Sequence, residues 1–317
     1  MKKPPARTYP YKGLSRSDVY TVVHWRDKVK RINTSMPLKT ETAAWDEYQL
    51  LDSGKGLKFE RFGSVTVVRP EFQALWAPED VAAWRNADAT YTQDGDEGKW
   101  DVESQVPEEW TVSYGTIKFS LRFSAFKHTG VFPEQAPNWE AIRKAIKPKA
   151  TMLNLFGYTG GATLMGLSMG AEVVHVDASK PAILSAKRNA ELSGLSKKPV
   201  RWMVDDAPSF VRREGRRERK YDVIVMDPPA FGRGPKNELW KFEDDFLPLL
   251  QSCKAILNPG AMLMVNAYSM GFSARVIEQT VQDVFPKATI ESVELTLKEE
   301  TNRAFLLPLG ITIRARL

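Results

Sequence analysis

"YDVIVMDPPAFGRGPK", residues 221–236, joins an uninterrupted apolar run to an aspartate, two prolines, a small residue and a phenylalanine. An apolar run without alternation reads as a strand buried on both faces, as in a parallel sheet covered by helices. Pro228 and Pro229 remove two backbone donors and keep the chain before them extended, so the strand ends on exposed acceptors rather than in another helix.

The same alternation of strand and helix extends on both sides of this segment. "TMLNLF" (151–156), "EVVHVD" (172–177), "VRWMV" (200–204) and "AMLMVNAY" (261–268) read as further parallel strands. "SKPAILSAKRNAELSG" reads as a helix with Ser179 as N-cap, Pro181 in its first turn and Gly194 past its end. "FSARVIEQTVQDVF" places Val276, Ile277, Thr280, Val281 and Val284 on one helical face. The chain closes with "TIESVELTL" and "GITIRARL", two strands with only a loop between them, expected to pair antiparallel at the edge of the sheet. The alternation of Ile311, Ile313, Ala315 and Leu317 with Thr312, Arg314 and Arg316 fits a half-solvated edge strand.

Upstream the pattern is β-like. "LKFERFGSVTVVRP" predicts two strands about a turn at Gly63, and "TIKFSLRF" alternates with Ile117, Phe119, Leu121 and Phe123 on one face. Between them "DATYTQDGDEGKWDVESQVPEEW" is an acidic surface hairpin or loop. The first 45 residues lack sustained periodicity and read as an irregular arm, with a short helix near Val19–Lys30. Residues 1–31 carry nine Lys/Arg against Asp18 and Asp27, so this arm alone holds +7 while the whole chain carries +6. Such an arm suits a phosphate-rich partner, or serves as a solubilising leader. The division expected is a basic arm (1–45), a β-rich domain (46–135) and a doubly wound α/β domain (136–317).

Composition excludes several classes. No apolar run approaches the roughly 20 residues needed to cross a bilayer, and the basic N-terminus has no apolar region behind it, so cytoplasmic residence is expected. Cys253 is the single cysteine, and His24, His128 and His175 are scattered, which argues against a metal site. His175 reads as a core histidine, and Trp202 and Trp240 as packing residues.

In an open α/β sheet the ligand lies beyond the carboxyl ends of the strands. There "NLFGYTGGATL" places Gly157, Gly160 and Gly161 where backbone can approach a ligand, but it lacks both the dinucleotide fingerprint and the Gly-Lys-Ser/Thr phosphate loop. Asp177, twenty residues past Gly157, can accept from both hydroxyls of a ribose, or can simply end a strand or cap the next helix. Asp205 and Asp206 can accept from an adenine amine, or cap the helix that follows. Acidic strand ends without a phosphate loop fit an adenosine carrying no phosphate.

"NLFGYTGGAT" (154–163), "VDAS" (176–179), "VDDAPSF" (204–210) and "VIVMDPPAFG" (223–232) together resemble the class I S-adenosylmethionine-dependent methyltransferases. More narrowly, the chain is similar, from about residue 110 to its end, to the bacterial family containing the large-subunit ribosomal RNA cytosine-5 and guanine-N7 enzymes. The resemblance implies a seven-stranded, mostly parallel sheet with S-adenosylmethionine as cofactor. It implies cofactor contacts from Phe156, Gly157, Tyr158, Thr159 and Gly160, from Asp177, Ala178 and Ser179, from Asp205, Asp206 and Ala207, and from Asp227. "FKHTGVFPEQ" (126–135) is similar to the segment that folds over the cofactor, so Thr129, Gly130, Phe132 and Gln135 are expected at its methionine end. The role of His128 there stays open.

Asp227, Pro228 and Pro229 are expected to form a donor-free cradle for a nucleobase edge, with Phe231 stacking on the base or plugging the loop from beneath. Gly232 and Gly234 would allow close approach, and Arg233 and Lys236 would meet phosphates. Carbon-5 methylation of cytosine needs a thiolate, which neither "DPPAFG" nor "VNAYSMG" contains, so the expected acceptor is a nitrogen. The function expected is RNA methylation, ribosomal RNA foremost. The alternatives are methylation of a small molecule or protein side chain, and a non-catalytic RNA-binding or assembly protein.

Overall fold

The computed structural model describes residues 38–94, 97–268 and 271–317. The basic run of residues 1–31 and the helix expected near Val19–Lys30 lie outside them. From Leu38 the chain enters β1 (Lys39–Thr42) and then a β-rich region: β2 (Tyr48–Gly54), β3 (Leu57–Phe62), β4 (Val65–Pro70), α1 (Val81–Trp84), β5 (Ala89–Asp94), β6 (Glu97–Val102), β7 (Trp110–Tyr114) and β8 (Ile117–Leu121). Strands β2 to β6 form one sheet in chain order, and β7 pairs with β8.

A 3-10 turn at Pro133–Gln135 leads into α2 (Ala136–Ala145). Strand and helix then alternate through β9 (Thr151–Leu155), α3 (Gly161–Ser168), β10 (Glu172–Asp177), α4 (Lys180–Leu192), β11 (Val200–Val204), α5 (Ala207–Arg216) and β12 (Tyr221–Met226). A short hairpin, β13 (Phe231–Arg233) and β14 (Leu239–Lys241), precedes α6 (Phe242–Lys254), β15 (Leu257–Ala267), α7 (Ala274–Val284), β16 (Thr289–Lys298) and β17 (Leu306–Arg316).

The large sheet has eight strands in the order β1-β16-β17-β15-β12-β9-β10-β11. Only β17 runs against its neighbours; the other pairings are parallel. This is the expected mostly parallel sheet with its antiparallel C-terminal hairpin, and three details differ. Lys39–Thr42, expected in an irregular arm, adds an eighth strand beside β16, a register set by its partner rather than by its own pattern. β17 sits inside the sheet between β15 and β16, so Thr312 is buried, and Arg314 is held by Glu41, Glu291 and Asn138 instead of facing water. On α7, Ile277, Val281 and Val284 are buried, whereas Val276 points outward.

Alternate residues of each central strand enter different cores, as the two-residue period of a strand requires. Met152, Val223, Val225, Met262 and Met264 join one cluster, which takes in Trp139 of α2 and continues into the β-rich region at Phe62 and Phe119. Leu153, Leu155, Ile224, Met226, Leu263 and Val265 join the other, with Phe210, Phe246 and Cys253. α4 forms as its caps predict: Ser179 Oγ accepts from Ala182 N at 3.3 Å, a cap worth about 1 kcal/mol. The chain doubles back at β9, which lies between β12 and β10, and this reversal opens a crevice beyond the ends of β9 and β12.

Candidate functional site

A cavity of about 600 Å³ occupies that crevice, within the roughly 300–1,000 Å³ usual for small-molecule sites. Its wall takes Phe156 and Tyr158 from the end of β9, Val176, Asp177, Ala178 and Ser179 from β10, Asp205, Asp206 and Ala207 from β11, and Asp227, Pro228 and Pro229 from β12. Phe132, Glu134 and Gln135, from the segment before α2, also line it. Gly157, Thr159 and Gly160 line a small adjoining cavity that shares Gln135, Tyr158 and Asp227 with the larger one. Thr129 and Gly130 belong to neither lining: Thr129 is buried, and the Gly130 carbonyl accepts from Thr159 Oγ1 at 2.7 Å.

The loop after β9 is held in an unusual conformation. Phe156 and Tyr158 have φ of 55° and 47°, the left-handed region that non-glycine residues seldom adopt, at a cost on the order of 1 kcal/mol each. Gly160, at φ 94°, is the N-cap of α3. Two glycines here are explained by neighbouring side chains. A Cβ on Gly157 would meet the His175 ring at 2.5 Å, and one on Gly161 would meet Trp139 at 2.7 Å. His175 is the core residue expected: it is fully buried, its Nδ1 pairs with Thr163 Oγ1 at 2.8 Å, and burial pushes its pKa down to about 3.

Asp177 accepts from the Tyr158 amide on Oδ2 and from the Ser179 amide on Oδ1, both at 2.8 Å. A carboxylate has about four lone-pair sites, so both oxygens retain capacity for two hydroxyl donors. Burial raises its pKa despite the two amides, which is the state of an acceptor awaiting partners. The paired acids divide their work: Asp206 caps α5 through Ser209 N at 2.8 Å, and Asp205 is bound by Arg213.

Gln135 is oriented by two asparagines. Its Oε1 accepts from Asn138 Nδ2 at 2.8 Å and Asn266 Nδ2 at 3.3 Å, leaving its amide donors to the cavity. Asn266, at the end of β15, lines the cavity itself. The end-of-strand rule applied to "VNAY" could have found it. Tyr268 closes the same stretch, whereas Glu134, Leu309 and Ile311 had no such signal, because packing between distant segments brings them to the wall.

After β12, Pro228 and Pro229 line the cavity. Trp240 Nε1 takes the Pro229 carbonyl at 2.7 Å, and the Trp240 ring lies 5.0 Å from that of Phe156, so Trp240 is both packed and part of the wall. Phe231 is 56% exposed and stands outside the lining, whereas Gly232, Arg233 and Gly234 belong to it. A Cβ on Gly234 would meet the Glu238 carboxylate at 2.4 Å, so that glycine serves the hairpin. Asp227 titrates near 7, raised by burial and by the charge of Glu134. His128 also lines the cavity; burial and the neighbouring cations Arg69, Lys127 and Lys58 lower its pKa to about 3.

The cavity fits a nucleoside with a cationic tail. Asp177 offers acceptors for a ribose, and Asp227 and Glu134 add further acid groups to the same wall. No group of three or more potential metal ligands occurs among the described residues.

Residues 87–296 match a family described as S-adenosylmethionine-dependent methyltransferase. A solved structure, the SAM-dependent methyltransferase from Agrobacterium tumefaciens, is 40% identical, covers 89% of this chain and 94% of its own, and superposes with a TM-score of 0.84. The ribosomal RNA large subunit methyltransferase I of Aeromonas salmonicida (strain A449) is 32% identical over 226 residues, 68% of this chain and 56% of that protein. That of Aliivibrio fischeri (strain MJ11) is 30% identical over 193 residues, 60% of this chain and 48% of that protein. The chain thus spans about half the length of the curated relatives it matches.

Proposed function

The chain belongs to the S-adenosylmethionine-dependent methyltransferase family, and on that premise we propose that it methylates a nucleobase nitrogen of RNA, ribosomal RNA foremost. The observation that carries this reading is the continuity of one cavity from Asp177 to the Asp227-Pro228-Pro229 edge, with the exposed Phe231 ring beside it. The names of the relatives support the choice of RNA.

S-adenosylmethionine, when bound, supplies a methyl group already activated on sulfur, so the protein's part is orientation more than acid–base chemistry. In this reading Asp177 holds the ribose hydroxyls and Ala178 and Ser179 border them. Asp205, Asp206 and Ala207 border the adenine, and Gln135 donates to the methionine end. Asp227 and the carbonyls next to Pro228 and Pro229 accept from the edge of the incoming base. Phe231 stacks on it, and Arg233 meets backbone phosphate.

A nitrogen acceptor is favoured because carbon-5 chemistry needs a thiolate. Cys253, the chain's only cysteine, lies on the buried face of α6, outside the cavity lining, and burial pushes its thiol pKa up. We further assign residues 46–135 to seating the substrate and covering the cofactor, residues 136–317 to transfer, and the arm of residues 1–45 to RNA phosphates. Cytoplasmic action follows from that substrate; among the described residues no helix is long and apolar enough to cross a membrane.

Incubation with radiolabelled S-adenosylmethionine and RNA, ribosomal subunits or lysate protein tests the reading. Label is expected in RNA, on a nucleoside that mass spectrometry identifies as N-methylated. Label confined to protein would overturn it.

A further inference from the structure

Among the described residues, buried acids are almost all compensated. Asp52 and Glu299 meet Arg303, Glu60 meets Arg69, Glu71 meets Lys58, and Glu214 meets Arg217. Asp206 caps a helix. Two acids of the cavity wall stand apart. Glu134 is 5% exposed, and its Oε2 has no hydrogen-bond partner among the described residues. Asp227, at the end of β12, belongs to no ion pair among them, and the charge it feels most is that of Glu134.

The cations nearest this pair are committed elsewhere. Lys58 bridges Glu60 and Glu71 at 3.4 and 3.8 Å, Arg69 is bound to Glu60, and Lys127 Nζ donates to the Pro70 carbonyl at 3.2 Å. The other titratable or charged groups around the wall are His128, Tyr158, Asp177, Asp205, Asp206, Arg233 and Tyr268; Arg233 is exposed and donates to Asn237 Oδ1 at 3.2 Å, and Asp205 is bound by Arg213. His128 is neutral near pH 7, and the Tyr268 hydroxyl donates to Glu71 at 3.0 Å. A buried carboxylate without a partner is costly, and where a second, partly buried and unpaired acid lines the same cavity the compensating charge is expected to come with a ligand.

The methyl donor carries that charge. Its sulfonium is positive, whereas the sulfur of the product, S-adenosylhomocysteine, is neutral, and the amino acid end is the same in both. We propose that Glu134 and Asp227 form an anionic subsite that reads the charge on the cofactor's sulfur, gripping the cationic donor and relaxing on the neutral product. The inference rests on the family reading of the cavity and adds Glu134 to it. Product release then follows from loss of the cation the pair was facing, with Asp227 free to take up a proton from water.

Calorimetric titration of the intact protein with S-adenosylmethionine and with S-adenosylhomocysteine tests this without any turnover. As Asp227 ionises, the ratio of product to donor dissociation constants should rise about ten-fold from about pH 6 to about pH 8. Sinefungin, which carries an amine where the donor carries its methylated sulfur, should behave as the donor does. Asp227→Asn should flatten the rise, and Glu134→Gln should move it to lower pH by removing a like charge. A ratio that stays flat in the wild-type protein, or a rise that survives Asp227→Asn, overturns the subsite while leaving the cofactor reading intact. Failure of both cofactor forms to bind overturns the cofactor reading and the subsite with it.

Discussion

Glu60 in the β-rich region and Asp227 at the cavity are both carboxyls taken out of bulk water, and the protein treats them in opposite ways. Burial alone would raise Glu60, yet Arg69 and Lys58, with a hydrogen bond from Tyr48 Oη at 2.8 Å, hold it at about 2. Asp227 has no such company, and burial with the charge of Glu134 raises it to about 7. One acid completes a closed network; the other stays unsatisfied at the edge of a space large enough for a ligand. A buried charge that serves the fold carries its partner with it, whereas one that serves binding waits for a partner from outside.

The contrast breaks most visibly through Arg69. Arg69→Met strands Glu60 in the core, and chemical denaturation should show a loss of about 3–5 kcal/mol; a loss below 1 kcal/mol would mean that the network contributes little. Asp227→Asn should act in the other direction. A folded pKa raised from 3.8 to about 7 means that the native state binds the extra proton, so stability falls as pH rises between those values. The substitution should therefore stabilise the protein by up to roughly 4 kcal/mol near pH 8 and hardly at all near pH 4, while transfer is lost. For Glu60 the sign reverses, with a contribution present above its unfolded value and lost as pH falls through about 2.

Smaller effects sharpen the boundary between the regions. Asp177→Ala should weaken S-adenosylhomocysteine binding by about 1.5–3 kcal/mol in calorimetry, through loss of charge-assisted bonds. Phe231→Ala should weaken RNA binding by about 1–3 kcal/mol while cofactor affinity stays unchanged. Equal loss of both affinities would place Phe231 in the support of the cofactor loop.

The strand-end acids were legible because a parallel sheet brings all its carboxyl ends to one edge: Asp177, Asp205, Asp206 and Asp227 follow from pattern alone and meet at the cavity. Residues whose place depends on distant packing were not. Lys39–Thr42 becomes a strand only because β16 offers an edge. β17 resembles an edge strand by alternation, yet it is interior because β1 and β16 extend the sheet beyond it. Gly157 and Gly161 stood out as sites of close approach, but the sequence could not say that the approaching groups are His175 and Trp139. Glu134 was passed over because it sits between Pro133 and Gln135 in a short turn, and its lack of a partner appears only when β3, β4 and β12 are in place.

Crystals grown with S-adenosylhomocysteine give the most direct test of the claim that the crevice beyond β9 and β12 is the cofactor site. The ribose hydroxyls should lie within hydrogen-bond distance of Asp177, with the sulfur facing the Asp227–Glu134 pair and the amino acid end beside Gln135. Ligand density elsewhere on the protein, or a crevice closed by Phe132 and Tyr158 with the ligand excluded, would contradict it.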